Sequence, residues 1–345
     1  MKVIAAVAVT VAVGAALCVP GVAISQESRN KASACSPVGD LSFICGLANV
    51  EDMLPVNGGR WLVAGSYKTG SAGLYLIDPA AKTARDVALS VGKPDPIYAG
   101  CPAPDLKGLQ THGLDAVPGA GGATTVYAVN HGGRESVEVF RLDAARNSAE
   151  WIGCVKLPEA ASGNSVAAVP KGGFVVTKFL DPNDKTAFQK IMAGQVNGVV
   201  YRWTPGKGFS EVAGTQLSGD NGIAVSQDGK WVFVNAYGTN EIYRLPLAGG
   251  GEASKVKVDF HPDNLRWAPD GKLFVTGQII DPSAGPNALQ GWATARLDPQ
   301  SMKVTPVVKE AGLPEFAGAT TAVQVGKTLW FGTYRGDRVA YRAAP

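Results

Sequence analysis

Charge is sparse in this chain of 345 residues, where Lys and Arg number 32, Asp and Glu number 29, and the net charge of +3 gathers into no basic cluster. That excludes nucleic acid as a partner, because a phosphate footprint needs a basic stripe. Long stretches of 3.6-residue apolar periodicity are nearly absent, which argues against helices as the building block. Histidine occurs three times and cysteine five times, with no Cys-x-x-Cys pair, which argues against a zinc site. No apolar run makes a stable membrane anchor. The one candidate, Val3 to Cys18, is too short and too rich in alanine.

What is present is glycine (43), proline (22) and an apolar fraction of 46%, the composition of many short strands joined by turns around a large core. Met1-Lys2 and the apolar run lead to small residues at Gly21 and Ala23, the form of a secretory signal cleaved after Ala23. A lipoprotein reading through Cys18 is the weaker one, because Leu17 stands where a small residue is expected. The expected organisation is a signal over 1–23, a leader over 24–47 and a single folded unit over 48–345, exported to a periplasm or the extracellular space. Cys35, Cys45, Cys101 and Cys154 remain after cleavage. Of their three possible pairings, Cys35–Cys45 with Cys101–Cys154 is favoured, but the sequence leaves the choice open.

The stretch from Asp220 to Val234 reads as a hairpin: Asp220-Asn221-Gly222, an alternating apolar run through Ile223 and Val225, a Gln227-Asp228-Gly229-Lys230 turn, and a second run through Val232 and Val234. Asp263-Asn264 through Asp270-Gly271-Lys272 to Val275 repeats it. Weaker copies begin near Ala48, His112, Gly163 and Gly318, giving six units of roughly 40 to 60 residues with three or four strands each, the size of a propeller blade. The expected fold is therefore all-β, a six-bladed β-propeller with a central channel; a two-sheet sandwich is the competitor.

In a propeller the inner strands start around the channel, so Glu51, His112, Asn164, Asn221 and Asn264 converge on one mouth. Glu51, Asn164, Asn221, Asp263 and Asn264 together make a hard-oxygen cage of the kind Ca²⁺ prefers. The two acids offset the ion's charge, while the carboxamides coordinate without quenching its Lewis acidity. One asparagine by itself is ordinary turn chemistry. Three in one register, with two acids, are not. His112 begins one strand of its unit and His131 ends the next, so antiparallel pairing sets both imidazoles on one face, either for proton transfer or as a packed pair. His261, beside the proposed ligands, is read either as support for them or as polar surface. Asp184 to Ala193 reads as a short amphipathic helix bearing Phe188, Ile191 and Met192, either a lid or a packing helix.

Val129-Asn130-His131 through Ser136-Val137-Glu138-Val139-Phe140, His112-Gly113, Phe179-Leu180-Asp181-Pro182, Asn221-Gly222-Ile223 with its Asp228-Gly229-Lys230 turn, and Asp263-Asn264 together resemble the paraoxonase/arylesterase family, in order from about Glu51 to Tyr341. The resemblance implies a six-bladed propeller with a catalytic calcium in its channel that hydrolyses lactones and aryl esters, small molecules. It also implies Glu51, Asn164, Asn221, Asp263 and Asn264 as ligands, His112 and His131 as the histidine pair, and either His112 or Asp263 as the base. A second, structural calcium is implied at Asp52 and Ser165. There a serine stands in place of an aspartate, which puts that ion in doubt. The family's closing disulfide has no C-terminal cysteine here, so closure falls to strand pairing. Gluconolactonase-like or strictosidine-synthase-like propellers, and a non-catalytic ligand-binding propeller, are the alternatives.

Overall fold

A computed structural model describes residues 31–345 except 171, 282 and 284–287; the segment ending at Ala23 lies outside the described residues. The chain is nearly all β, and its one α-helix among the described residues is Ala187–Met192. Six blades run outward from inner strands Met53–Val56, Thr111–Pro118, Ser162–Ala168, Asp220–Val225, His261–Trp267 and Thr321–Val325, antiparallel except that Ala88–Val91 adds parallel to the outer edge of blade two. Each inner strand packs on the next, and the sixth on the first, which closes the ring. The propeller expected from the repeats is the fold found.

Blade four shows why the repeat folds this way. Asp220–Val225 and Trp231–Ala236 pair antiparallel with Ile223 opposite Val234 and Val225 opposite Val232. Gly229, at φ 69°, takes the turn that any Cβ would strain. Alternate side chains then enter different layers: Ile223, Val225, Val232 and Val234 pack with Val175 and Val200 of blade three. Ala224 and Phe233 pack with Leu265 and Val275 of blade five. Both faces of every blade are buried between neighbours, so the apolar residues do not alternate with polar ones as they would in a sheet with one wet face.

Leu41–Cys45 and Lys31–Val38, from the stretch before residue 48, also join the ring. Leu41–Cys45 pairs antiparallel with the C-terminal strand Arg338–Ala343, Phe43 opposite Ala340, and is the fourth strand of blade six. Lys31–Val38 pairs with Leu41–Cys45 on one side and with Thr83–Asp86 of blade one on the other. Closure is by strand pairing, as the missing C-terminal cysteine requires. The disulfides are Cys35–Cys45, which ties those first two strands together, and Cys101–Cys154, which ties the loop before blade two to its strand Ser148–Lys156. Among the described residues no helix is long and apolar enough to cross a membrane.

Candidate functional site

The inner strands of blades two to five share one local irregularity. Each shifts register at its mouth end: between Thr111 and Leu114, Gly163 and Val166, Asp220 and Ile223, and Pro262 and Leu265. The positions left outside the ladder are His112-Gly113, Asn164-Ser165, Asn221-Gly222 and Asp263-Asn264. A bulge bends its strand and re-aims the side chains it frees. Two glycines let neighbouring bulges nest. A Cβ on Gly113 would lie 2.5 Å from the Asn164 carbonyl oxygen, and one on Gly222 would lie 2.2 Å from that of Asp263.

Glu51, Asn164, Asn221 and Asp263 thereby line one cavity of about 340 Å³ together with His112 and His131. Asn264 is joined to them, its Nδ2 donating to Glu51 Oε1 at 2.6 Å. All five are buried. Their backbones are pinned by neighbouring side chains: Thr320 Oγ1 donates to the Glu51 carbonyl (2.6 Å), Thr177 Oγ1 to that of Asn221 (2.8 Å) and Asn235 Nδ2 to that of Asp263 (2.6 Å). Gln278 Nε2 donates to Asp263 Oδ2 at 2.7 Å.

These bonds leave Glu51 Oε2 and the Oδ1 atoms of Asn164, Asn221 and Asn264 buried with no partner. An unsatisfied buried acceptor costs roughly 1–3 kcal/mol, and these four acceptors, from four blades, are oxygens that could hold a cation. Among the described residues no three His, Cys, Asp or Glu side chains group as metal ligands. The donor set is oxygen with only two acids, which fits calcium's preference and not zinc's. Burial first, and then the nearby Asp263, push the Glu51 pKa well above the usual carboxylate range. Burial also raises that of Asp263 to about 7, against the lowering effect of Gln278 and Asn221.

The histidines meet as the antiparallel pairing expects: His112 Nδ1 and His131 Nε2 are 2.9 Å apart, and His131 Nδ1 lies 2.7 Å from Glu135 Oε1. A carboxylate only accepts, so His131 carries its proton on Nδ1. Its Nε2 then accepts from His112 Nδ1–H, which leaves the lone pair of His112 on Nε2, 3.7 Å from Glu51 Oε1. Burial, and then proximity to His131, hold the His112 pKa well below that of a free imidazole. The ring packs on Tyr67 with centroids 4.4 Å apart. Gly163 N–H donates to Glu135 Oε2 at 3.1 Å, fixing the carboxylate from blade three.

Asp52 is placed differently from its neighbour Glu51. Its Oδ1 accepts from Arg266 Nε at 2.9 Å and its Oδ2 from Arg266 Nη2 and from Leu114 N–H. The carboxylate that the resemblance offers to a second ion is thus held by a guanidinium. Ser165 Oγ is buried and unpartnered. His261 is turned aside, its Nδ1–H donating to the Tyr237 carbonyl at 2.9 Å. The expected helix forms over Ala187–Met192 and packs by Ala187 and Ile191, while Phe188 lines the cavity. The rest of the wall is Phe179, Leu180, Ile280 and Leu289, the rings of Tyr67, Tyr237 and Tyr334, and the polar Ser162-Gly163 and Gln278.

Sequence reading missed Glu135, Gln278 and Arg266. Arg266 had a signal, since it follows Asn264 by two and so shares its strand face. Glu135 had none, because it sits in the loop between two strands, where periodicity carries no information. A larger cavity of about 540 Å³ opens at the far end of the inner strands. Its carboxylate, Asp115, is already satisfied by Ala116 and Ala168 N–H. The smaller cavity is therefore the one with open chemistry.

Residues 115–283 match the SMP-30/Gluconolactonase/LRE-like region. The expected family resemblance is borne out. A human relative, serum paraoxonase/arylesterase 2, is 28% identical over an alignment of 203 residues that covers 53% of this chain and 55% of the relative, about half the length of each. Among solved structures, a luciferin-regenerating enzyme superposes with a TM-score of 0.57 at 14% identity, covering 87% of this chain and 92% of the other. A gluconolactonase from Xanthomonas campestris superposes at 0.55 and 17%, covering 92% and 98%. A streptogramin B lyase does so at 0.52 and 10%, covering 87% and 83%. At such identities the likeness establishes the fold alone, and one fold carrying differently named chemistries leaves activity to the site.

Proposed function

We propose that the protein is a calcium-dependent hydrolase of lactones and of aryl and other carboxylic esters. The observation that carries this reading is the set of four unpartnered, buried side-chain oxygens, three of them on residues that line the cavity of the histidine relay and the fourth on Asn264, bonded to Glu51. Glu51, Asn164, Asn221, Asp263 and Asn264 would hold the ion. Bound there, calcium would supply a Lewis acid that polarises the substrate carbonyl and stabilises charge developing on its oxygen.

The chain's own residues prepare the water. His112 Nε2 bears the lone pair and takes the proton as water attacks the carbonyl carbon. His131 accepts from His112 Nδ1–H and, through its own Nδ1–H to Glu135, stabilises the imidazolium that forms. Burial, and then the neighbouring His131, keep the His112 ring neutral beforehand, so the base is free at neutral pH. Phe179, Leu180, Phe188, Ile280 and Leu289 give the acyl or aryl part an apolar wall that excludes bulk water. The two disulfides support an oxidising compartment, consistent with export before cleavage near Ala23.

The match to the gluconolactonase region favours one second reading, hydrolysis of sugar lactones. Phe179, Leu180, Phe188, Ile280 and Leu289 suit an apolar acyl or aryl group, whereas Ser162, Gln278 and the tyrosines of the same wall could bond the hydroxyls of a sugar. Assaying phenyl acetate, alkyl lactones and a sugar lactone with and without chelator separates the readings. Chelator-sensitive turnover of the apolar substrates supports the proposal. Turnover of the sugar lactone alone transfers the assignment, and no turnover of any substrate leaves a binding propeller.

A further inference from the structure

Below the proposed calcium cage the channel holds a second oxygen cluster, and it is already occupied by a side chain. Asp52 precedes the inner strand of blade one, Leu114 lies on that of blade two, and Arg266 on that of blade five. The Arg266 guanidinium donates from Nε and Nη2 to the two carboxylate oxygens of Asp52, and from Nη2 to the Leu114 carbonyl at 2.7 Å. Asp52 is fully buried and Arg266 is 8% exposed, so water screens neither. A carboxylate and a main-chain carbonyl are the donors a hard cation uses. Here a planar, permanently charged group takes both. Ser165, beside Gly113 on the adjoining inner strand, brings a buried hydroxyl where the resemblance implies an acid, and that hydroxyl bonds to nothing.

We infer that Arg266 is a resident cation standing where the resemblance implies a second, structural ion, so that blades one, two and five are tied across the channel without metal. Two rungs then cross from blade five to blade one. Asn264 to Glu51 is the upper, open to an ion; Arg266 to Asp52 is the lower, closed to one. A single bound calcium per chain follows, a count that rests on the reading proposed above. Chelation should remove activity while leaving the ring standing.

The test compares bound calcium per chain, by elemental analysis after dialysis, in the parent and in Ser165→Asp/Arg266→Ser, with thermal unfolding followed with and without chelator. The expected result is one ion more in the variant than in the parent, and an unfolding temperature that chelator lowers by more in the variant, which gives up the added ion as well, than in the parent. No gain in the variant overturns the assignment, as do two ions in the parent. If the variant does not fold, the parent decides: one ion or none upholds the assignment, and two overturn it. No ion in the parent with one gained in the variant sinks the catalytic-calcium reading and upholds this one.

Discussion

Asn264 donates its amide to Glu51 across 2.6 Å, joining blade five to blade one at the mouth of the channel and turning its own carbonyl oxygen loose. Because the amide is spent on the acid, the free oxygen is an acceptor that only a cation or a donor from outside can satisfy. The arrangement ties the acid–base behaviour of the site to its ligand.

Proton and ion should compete for Asp263. Its pKa, raised to about 7 by burial, means the ion-free protein takes up a proton there below neutrality, so calcium affinity should fall with pH below about 7, approaching tenfold per unit. A pKa raised on folding means that the native state binds the extra proton. The ion-free protein should therefore lose stability as pH climbs from the ordinary carboxylate range toward 7, and calcium should reverse that loss. Calorimetric calcium titrations at pH 6 and pH 8, with unfolding curves at each, check both signs. Equal affinities would remove Asp263 from the cage.

The relay makes separate predictions for its ends. His112→Gln should lower kcat by roughly 10²–10⁴-fold, the usual contribution of a general base, with calcium still bound. Glu135→Gln keeps the shape but removes the charge that favours the imidazolium. Activity should fall less, and the acid limb of the rate profile, already below the range of free imidazole, should move further to acid. An unmoved profile would make Glu135 structural only.

Gly222→Ala tests the nested bulges. Its Cβ would sit 2.2 Å from the Asp263 carbonyl oxygen, so the strands must part. We expect a stability loss of about 1–3 kcal/mol together with weaker calcium binding, read by denaturant unfolding and metal analysis. Gly271→Ala, in a turn far from the cage with open space around it, should leave binding unchanged.

The propeller was legible because its repeat is local: the Asp228-Gly229 and Asp270-Gly271 turns and their flanking alternation recur at blade spacing. The expected convergence of Glu51, His112, Asn164, Asn221 and Asn264 rests on the same regularity, since equivalent positions in a ring face one axis; Asn264 meets the others through its bond to Glu51. What the sequence hid depended on partners far away in the chain. Arg266 is 214 residues from Asp52, and a lone arginine on a strand face does not announce a buried carboxylate. The role of Leu41–Cys45 in closing blade six was hidden too, because its pairing partner is the chain's other end.

The central claim is most directly tested by metal analysis and hydrolase assay on Asn221→Ala and Asp263→Ala beside the parent protein. The account predicts calcium and lactone or aryl-ester turnover in the parent, and loss of both in each variant that remains folded. A variant that hydrolyses its substrate without metal would contradict it.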